Sequence, residues 1–408
     1  MLLTLVQILL LATVGGFVVY LFSLSVLALF ARTTTAFAAT ATRRFAVLVP
    51  AHNEESAISS TIQSILQVDY PRTCFDVIVI ADNCTDQTAA VSKQNGALVF
   101  ERENHDMRGK GYALRWCFDR LLSLDEPYDA FIVVDADSTV SMDFLRVMNH
   151  YLESGAKVIQ ASDMVKPQPG AWSSEMTRLG FTLYNYARPL GRKVIGCSAG
   201  LRGNGMCFSA DVLRKHPWQA YSRAEDLEFG LHLLLNGISV TFAREAMVIA
   251  TMPQNPRLAE SQRARWEGGR FPVIKRYALP LLGRTVARGS FKLLDAFIDL
   301  VTPPLINLMG VVVGLLFMTF VLDALGVATM QLFVYLWAGI LVLGFLHMFV
   351  GLYAAHADRD LYRALFHLPR YTAWKVMLYL KLFRRGETKE WIRTTREPAI
   401  AHEKSGDV

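Results

Sequence analysis

Two aspartates, Asp135 and Asp137, stand one residue apart directly after the apolar run Phe131-Ile132-Val133-Val134. Carboxylate oxygens are hard donors for Mg2+ or Mn2+, and such an ion commonly bridges one or two carboxylates to substrate phosphates. The pair therefore suits metal-assisted chemistry on a diphosphate. Asp82 ends a similar run, Val77-Ile78-Val79-Ile80-Ala81, where a carboxylate can accept a hydrogen bond from a base N–H. Lys110, in Arg108-Gly109-Lys110-Gly111, is a point cation beside glycines that let backbone approach a phosphate; a solvated basic turn explains it as well. Val47-Leu48-Val49-Pro50-Ala51-His52-Asn53-Glu54-Glu55 reads as a strand ending in a polar turn, with Asn53 as a helix cap. Glu225-Asp226 opens an apolar helix, and helix capping accounts for Asp226 without function. The histidines form no metal cluster, and the glycines of Gly196 to Gly205 follow no dinucleotide fingerprint at a first strand.

These residues need strands to hold them at one edge. Phe45–Val49, Val77–Ala81 and Phe131–Val134 are short apolar runs, and helical spacing fills Glu54–Leu66, Thr85–Gln94, Lys110–Leu122 and Met142–Leu152. Such alternation predicts an α/β domain with a mostly parallel sheet covered by helices. In such sheets the ligand crevice lies at the carboxyl ends of the strands, where the acids stand. The segment up to about Ala250 is mixed, with Gly203-Asn204-Gly205 marking a tight backbone approach and Leu227–Leu235 a helix.

A hydrophobic fraction of 52% exceeds the need of a soluble domain. Leu2 to Phe30 is uncharged and long enough to span a bilayer; a signal peptide ending near Ala36-Phe37-Ala38 is the weaker reading, since the run is too long and lacks a charged start. Arg32, Arg43 and Arg44 place the following domain in the cytoplasm. Basic residues interleave with apolar ones from Pro256 to Leu300, as in amphipathic helices on an anionic leaflet, although solvated surface helices share that pattern. Two further spans follow, Pro303 to Leu322 and Gln331 to Tyr353, and then a basic tail. The net charge of +6 is thus read as facing membrane lipid, not nucleic acid. The five cysteines have neither a zinc spacing nor a CxxC pair and read as small core residues.

In order, VPAHNEE, IADNCTD, RGKGYAL, VVDAD, AEDLEFG and QRARW resemble the motifs of the membrane-embedded family 2 glycosyltransferases, which include cellulose, chitin, hyaluronan and poly-N-acetylglucosamine synthases. The resemblance covers roughly Phe45 to Arg270 and implies a GT-A fold, a mostly parallel mixed sheet with helices on both faces, joined to transmembrane and amphipathic interface helices. The expected division is 1–31 a first span, 44–255 the catalytic domain, 256–302 interface helices, 303–354 two spans and 355–408 a cytoplasmic tail. The resemblance implies that Ala51, Glu54 and Asp82 hold the nucleotide, Lys110 approaches its diphosphate, Asp135 helps hold the nucleotide-sugar and Asp137 ligates Mg2+ or Mn2+. The family often has two adjacent acids in the second motif; the first of them is Ala81 here. Asp226 matches the family's general base, and Gln262, Arg265 and Trp266 its QxxRW signature. Arg265 can counter diphosphate charge and Trp266 offers a flat face to an acceptor sugar, although membrane-surface anchoring explains both types. Trp391 to Arg396 resembles an element that closes over the nucleotide.

The expectation is an inverting, metal-dependent transferase in the cell membrane with its catalytic domain in the cytoplasm. It would move a sugar from a nucleotide-sugar, UDP-linked by preference, to a polysaccharide or glycolipid acceptor. Synthesis of a polymer, with an oligomer or export partner, stands first. Single transfer to a lipid, as by ceramide glucosyltransferases, stands second, and a catalytically silent nucleotide-binding adaptor third.

Overall fold

The computed structural model describes residues 1–34, 37, 42–125, 127–168, 172–252 and 256–385, and only the backbone at 256–265, 267, 376 and 378–385. Trp391 to Arg396, and the expected cleavage residues Ala36 and Ala38, lie outside the described residues.

Among the described residues eight strands form one sheet: β1 (Phe45–Ala51), β2 (Phe75–Asp82), β3 (Leu98–Arg102), β4 (Ala130–Val133), β5 (Ser138–Val140), β6 (Val158–Val165), β7 (Met206–Ser209) and β8 (Thr241–Ala250). Their spatial order is β3-β2-β1-β4-β7-β6-β8-β5. β7 and β5 run against the rest, so the sheet is mixed but mostly parallel. β1 shows why its sequence is apolar throughout. Ala46 and Leu48 join the apolar cluster on one face, with Leu114 and Phe118 of the Lys110–Leu122 helix. Phe45, Val47 and Val49 join the other, with Ile62 of the Ile58–Leu66 helix and Phe144 of the Phe144–Glu153 helix. A strand covered on both faces has no wet side to mark with polar residues.

Among the described residues, three helices are long and apolar enough to cross a membrane: Leu2–Ala28, Leu305–Ala324 and Met330–Ala354. They pack on one another around Val18, Val312 and Trp337, all fully buried. Polar side chains inside the bundle satisfy each other. Gln7 Nε2 donates to Thr319 Oγ1 at 2.9 Å, and Trp337 Nε1 donates to Gln7 Oε1 at 2.8 Å. Interhelical bonds of this kind hold helices together where lipid offers no partner. Ala28 and Ala354, at the ends of two of these helices, join the same cluster as Phe118 and Trp218 of the sheet domain.

Between sheet and bundle, Arg188 and Arg192 of the Arg188–Val194 helix meet Asp295 and Asp299 of the Phe291–Val301 helix. Arg188 Nη1 donates to Asp299 Oδ1 at 2.9 Å; Arg192 reaches Asp295 Oδ2 with Nε at 2.7 Å and Asp299 Oδ2 with Nη1 at 2.9 Å. Tyr20 of the first apolar helix donates to Asp295 Oδ1 at 2.9 Å. A Cβ on Gly191 would overlap the Leu24 carbonyl, so glycine there lets the two helices touch backbone to backbone. Arg192→Leu would strand a buried carboxylate and should cost roughly 3–5 kcal/mol, read as a lower unfolding temperature in detergent. Adding Asp295→Leu should recover part of it; an unchanged melt in the single variant would show the clasp to be dispensable.

The basic, apolar stretch after Pro256 is one helix, Pro256–Arg288, with Pro272 and Pro280 inside it. Val273, Tyr277 and Leu281 pack against the Glu225–Leu235 and Phe291–Val301 helices, while Phe271, Leu279 and Val286 are exposed. It thus carries two apolar faces: one is covered by protein and one is bare.

Candidate active site

The carboxyl ends of β2, β1 and β4 lie side by side and carry the acids. Asp82 is the last residue of β2 and pairs in register with Arg102, the last residue of β3. Arg102 Nη1 donates to Asp82 Oδ1 at 2.5 Å, with both side chains buried, and its Nη2 donates to the Met107 carbonyl at 2.8 Å. Asn83 Nδ2 also donates to Asp82 Oδ1, at 3.0 Å, leaving Oδ2 as the oxygen a ligand can address. Residue type alone does not mark Arg102; the apolar run Leu98-Val99-Phe100 before Glu101-Arg102 is its available signal.

Ala51 ends β1, and its carbonyl accepts from Cys84 Sγ at 3.5 Å. Asn53 is not a helix cap, since the helix begins at Ile58. Its φ is 57°, a left-handed conformation asparagine tolerates, and its Oδ1 accepts the Thr85 N–H at 2.7 Å. Asn53 therefore ties the turn after β1 to the turn after β2. Next to it the Glu54 N–H donates to Thr88 Oγ1 at 2.7 Å.

Lys110 begins its helix just after Gly109, whose φ is 117°. It is no solvated turn residue: Nζ donates to Asp135 Oδ1 at 2.5 Å and to the Gly203 carbonyl at 2.6 Å. Burial alone would lower the Lys110 pKa, but Asp135, Glu225 and Asp226 raise it overall, so it stays charged. Gly203, at φ 84°, turns toward Asp226; a Cβ there would stand 3.2 Å from Asp226 Oδ2. Asp226 is not the cap of its helix, which is Ala224, but lies in the first turn of Glu225–Leu235. Burial raises its pKa against the opposing pull of the Leu227 amide, Lys110 and Arg202. Burial and Asp226 push neighbouring Glu225 up to about 7.

Beneath the Asp135/Asp137 loop lies a buried network. Asn204 Oδ1 accepts the Asp135 N–H at 3.0 Å, and Asn204 Nδ2 donates to Ser138 Oγ at 2.9 Å and to Asp163 Oδ1 at 3.2 Å. Ser138 Oγ in turn donates to Asp137 Oδ1 at 3.2 Å. Burial, with Asp135 and Asp137 nearby, raises the Asp163 pKa well above the usual carboxylate range. Asn204 stood in a marked segment, but Asp163 was not anticipated.

Trp266 is half-exposed with its ring 5.6 Å from that of Phe181. Gln262 and Arg265 lie on the Pro256–Arg288 helix, and their side chains fall outside the described residues. The structure thus brings Lys110, Asp135 and Asp226 together around Gly203, with Asp137 beside Asp135, and sets Asp82, Ala51 and Glu54 on the neighbouring strand ends. Among the described residues no three of His, Cys, Asp or Glu group as a metal cage. Two carboxylates one residue apart, without a closed cage, fit an ion that takes its remaining ligands from phosphate and water.

Residues 42–269 match a family model described as "Glycosyltransferase like family 2". The chain belongs to that family. Curated relatives of this family 2 glycosyltransferase include the "Probable glycosyltransferase YdaM" of Bacillus subtilis, 23% identical over 57% of this chain and 56% of that protein. Another is the beta-monoglucosyldiacylglycerol synthase of Nostoc sp., 26% identical over 61% of this chain and 53% of that protein. The chain spans about half the length of these relatives. Among solved structures, the mannosyltransferase PcManGT from Pyrobaculum calidifontis, in complex with GDP-Man and Mn2+, has a TM-score of 0.51 at 15% identity and covers 83% of this chain and 96% of that one. That likeness shows the shared GT-A fold.

Proposed function

We propose that this family 2 glycosyltransferase moves one sugar from a nucleotide-sugar to a membrane-lipid acceptor at the cytoplasmic face, with inversion at the anomeric carbon. The observation that carries the reading is the meeting of Lys110, Asp135 and Asp226 around Gly203. Asp226 takes the proton of the acceptor hydroxyl. The acceptor oxygen bonds to the anomeric carbon, and the bond from that carbon to the diphosphate breaks, its electron pair leaving on the nucleoside diphosphate. Direct displacement inverts the centre, so an α-linked donor gives a β-linkage. Asp82, with Ala51 and Glu54, holds the nucleotide, and Lys110 meets the diphosphate charge. Asp137, with Asp135 alongside, would hold a divalent ion, whose chemistry is to neutralise the leaving diphosphate; the Mn2+ bound with GDP-Man in the mannosyltransferase supports that assignment. Gln262, Arg265 and Trp266 are assigned to the donor and acceptor from the family signature. The basic residues Arg32, Arg43 and Arg44 after the first apolar helix support the cytoplasmic orientation.

A lipid acceptor is favoured over a growing polymer by the apolar helices. They fill their own centre with Val18, Val312 and Trp337, where an exporting enzyme needs a path. The glycolipid synthase among the relatives supports the same choice. The QxxRW signature favours the second reading, repeated addition to a polymer. Labelled donors, offered with Mn2+ or Mg2+ in detergent and native lipid extract, test both. One lipid-soluble product is expected; a ladder of sizes would establish the polymer, and tight UDP binding without turnover across the panel would leave only a silent adaptor.

A further inference from the structure

Asn204 touches both sides of the Asp135/Asp137 loop. Its Oδ1 accepts the Asp135 N–H, and its Nδ2 donates to Ser138 Oγ, which leaves the Ser138 proton for Asp137 Oδ1. Its own carbonyl accepts Gln160 Nε2 at 2.7 Å, and the carbonyl before it, that of Gly203, accepts Lys110 Nζ. One dipeptide thus carries the lysine contact and the acidic loop together.

The Asn204 amide can make these bonds in one orientation only. A backbone N–H always donates, so the atom facing Asp135 must be the oxygen, and both Nδ2 protons point the other way. Ser138 takes one of them. The second goes to Asp163 Oδ1, buried in β6. Without that acceptor the orientation the loop needs would leave a buried donor unpaired, which is costly. Asp163 Oδ2 meets Asn185 Nδ2 at 3.0 Å. Asn185 stands in the Thr182–Ala187 turn, which packs on the third apolar helix, where a Cβ on Gly351 would stand 2.6 Å from Leu183 Cδ2. Among the described residues the Asn185 amide makes no other bond, so it is free to turn its oxygen toward a proton on Oδ2. That protonated form is the one burial favours, with Asp135 and Asp137 nearby. Asp163 then serves Asn204 as an acceptor atom and not as a charge.

We propose that Asp163 is a positioning residue for the divalent ion: it fixes the Asn204 amide, and through Asn204 and Ser138 it sets the Asp137 carboxylate for the metal. This rests on the metal assignment above and adds a residue outside the ligand set.

The test is calorimetric titration of Mn2+ into the full chain in detergent, saturated with UDP. Asp163→Leu should bind Mn2+ about tenfold or more weakly, as loss of an outer-shell partner commonly does. Asp163→Asn should bind nearly as the wild type does, because its oxygen takes Asn204 and its nitrogen stands where the proton stood, facing Asn185. Ser138→Ala removes a single buried oxygen and should lose about as much as Asp163→Leu. The double variant should lose little more than either alone, since both cut one chain. UDP without metal should bind all of them alike. Wild-type Mn2+ affinity in Asp163→Leu or in Ser138→Ala would overturn the proposal. An equal loss in Asp163→Asn and Asp163→Leu would also do so, by making charge the operative feature. Loss of metal-free UDP binding in Asp163→Leu would reduce the residue to a structural role. Asp137→Ala separates the two readings. If it binds Mn2+ as the wild type does, the metal assignment fails; if it alone loses Mn2+, the assignment stands and the part given to Asp163 falls.

Discussion

Asp226→Asn should lower the rate of sugar transfer by about 10^2–10^4-fold, the range a positioned general base contributes, while nucleotide-sugar affinity is kept. The amide keeps the shape of the carboxyl group and its place against Gly203, but it cannot take the acceptor proton. On the proposed mechanism the same base sets the pH profile. A base works ionised, and burial raises the pKa of both Asp226 and Glu225, the latter to about 7. Transfer should therefore rise with pH through a limb above the ordinary carboxylate range, and that limb belongs to the pair together. In Glu225→Gln the limb should move to lower pH, because one of two mutually repelling charges is gone. Wild-type transfer by Asp226→Asn across the profile would remove Asp226 from the role.

Asp137→Ala should reduce donor binding in the presence of Mn2+ to the level seen without metal. Loss of an outer-shell partner commonly costs roughly 10–100-fold in metal affinity, and loss of a direct ligand should exceed that. Asp137 is held by Ser138, which Asn204 holds in turn, so the alanine deletes a carboxylate without withdrawing the support below it. Titrating nucleotide-sugar with and without Mn2+ separates the effects. The metal should sharpen binding to wild type and leave Asp137→Ala unchanged. An equal response to Mn2+ in both proteins would move the ion elsewhere.

The parts of this site that could be read in the sequence sit where a buried strand stops. Asp82 and Asp135 each follow an uninterrupted apolar run, with Asp137 two residues further on, and an acid there has few structural excuses. Gly203 was legible as a tight approach, although only the fold reveals that it is the Asp226 carboxylate it admits. What escaped reading depends on partners distant in sequence. Asp163 reads as an ordinary polar residue in a mixed strand until Asn204 and Asn185 come against its two oxygens, at 3.2 and 3.0 Å. Arg102 is likewise unremarked in sequence, and its importance comes from the register that sets β3 beside β2. Asn53 was misread because its left-handed backbone leaves no trace in residue type: the same asparagine serves a cap or a bridge between loops. The lone acids at 295 and 299 fell in a stretch read for its basic residues, and their burial against Arg188 and Arg192 could not be inferred from spacing.

The backbone contact between Gly191 and Leu24 has a bearing on which molecules can react. A hinge there would let the enzyme bob above the bilayer and meet nucleophiles at many heights. Glycine-tight contact, locked by the Arg192 clasp, removes that freedom, and in the proposed membrane arrangement it would hold Asp226 at one altitude over the acyl chains. The protein then behaves as a caliper. On the proposed lipid-acceptor reading, headgroups of the right stature would reach the anomeric carbon and a lipid already lengthened by one sugar would overshoot it, itself a reason for the reaction to stop after a single addition.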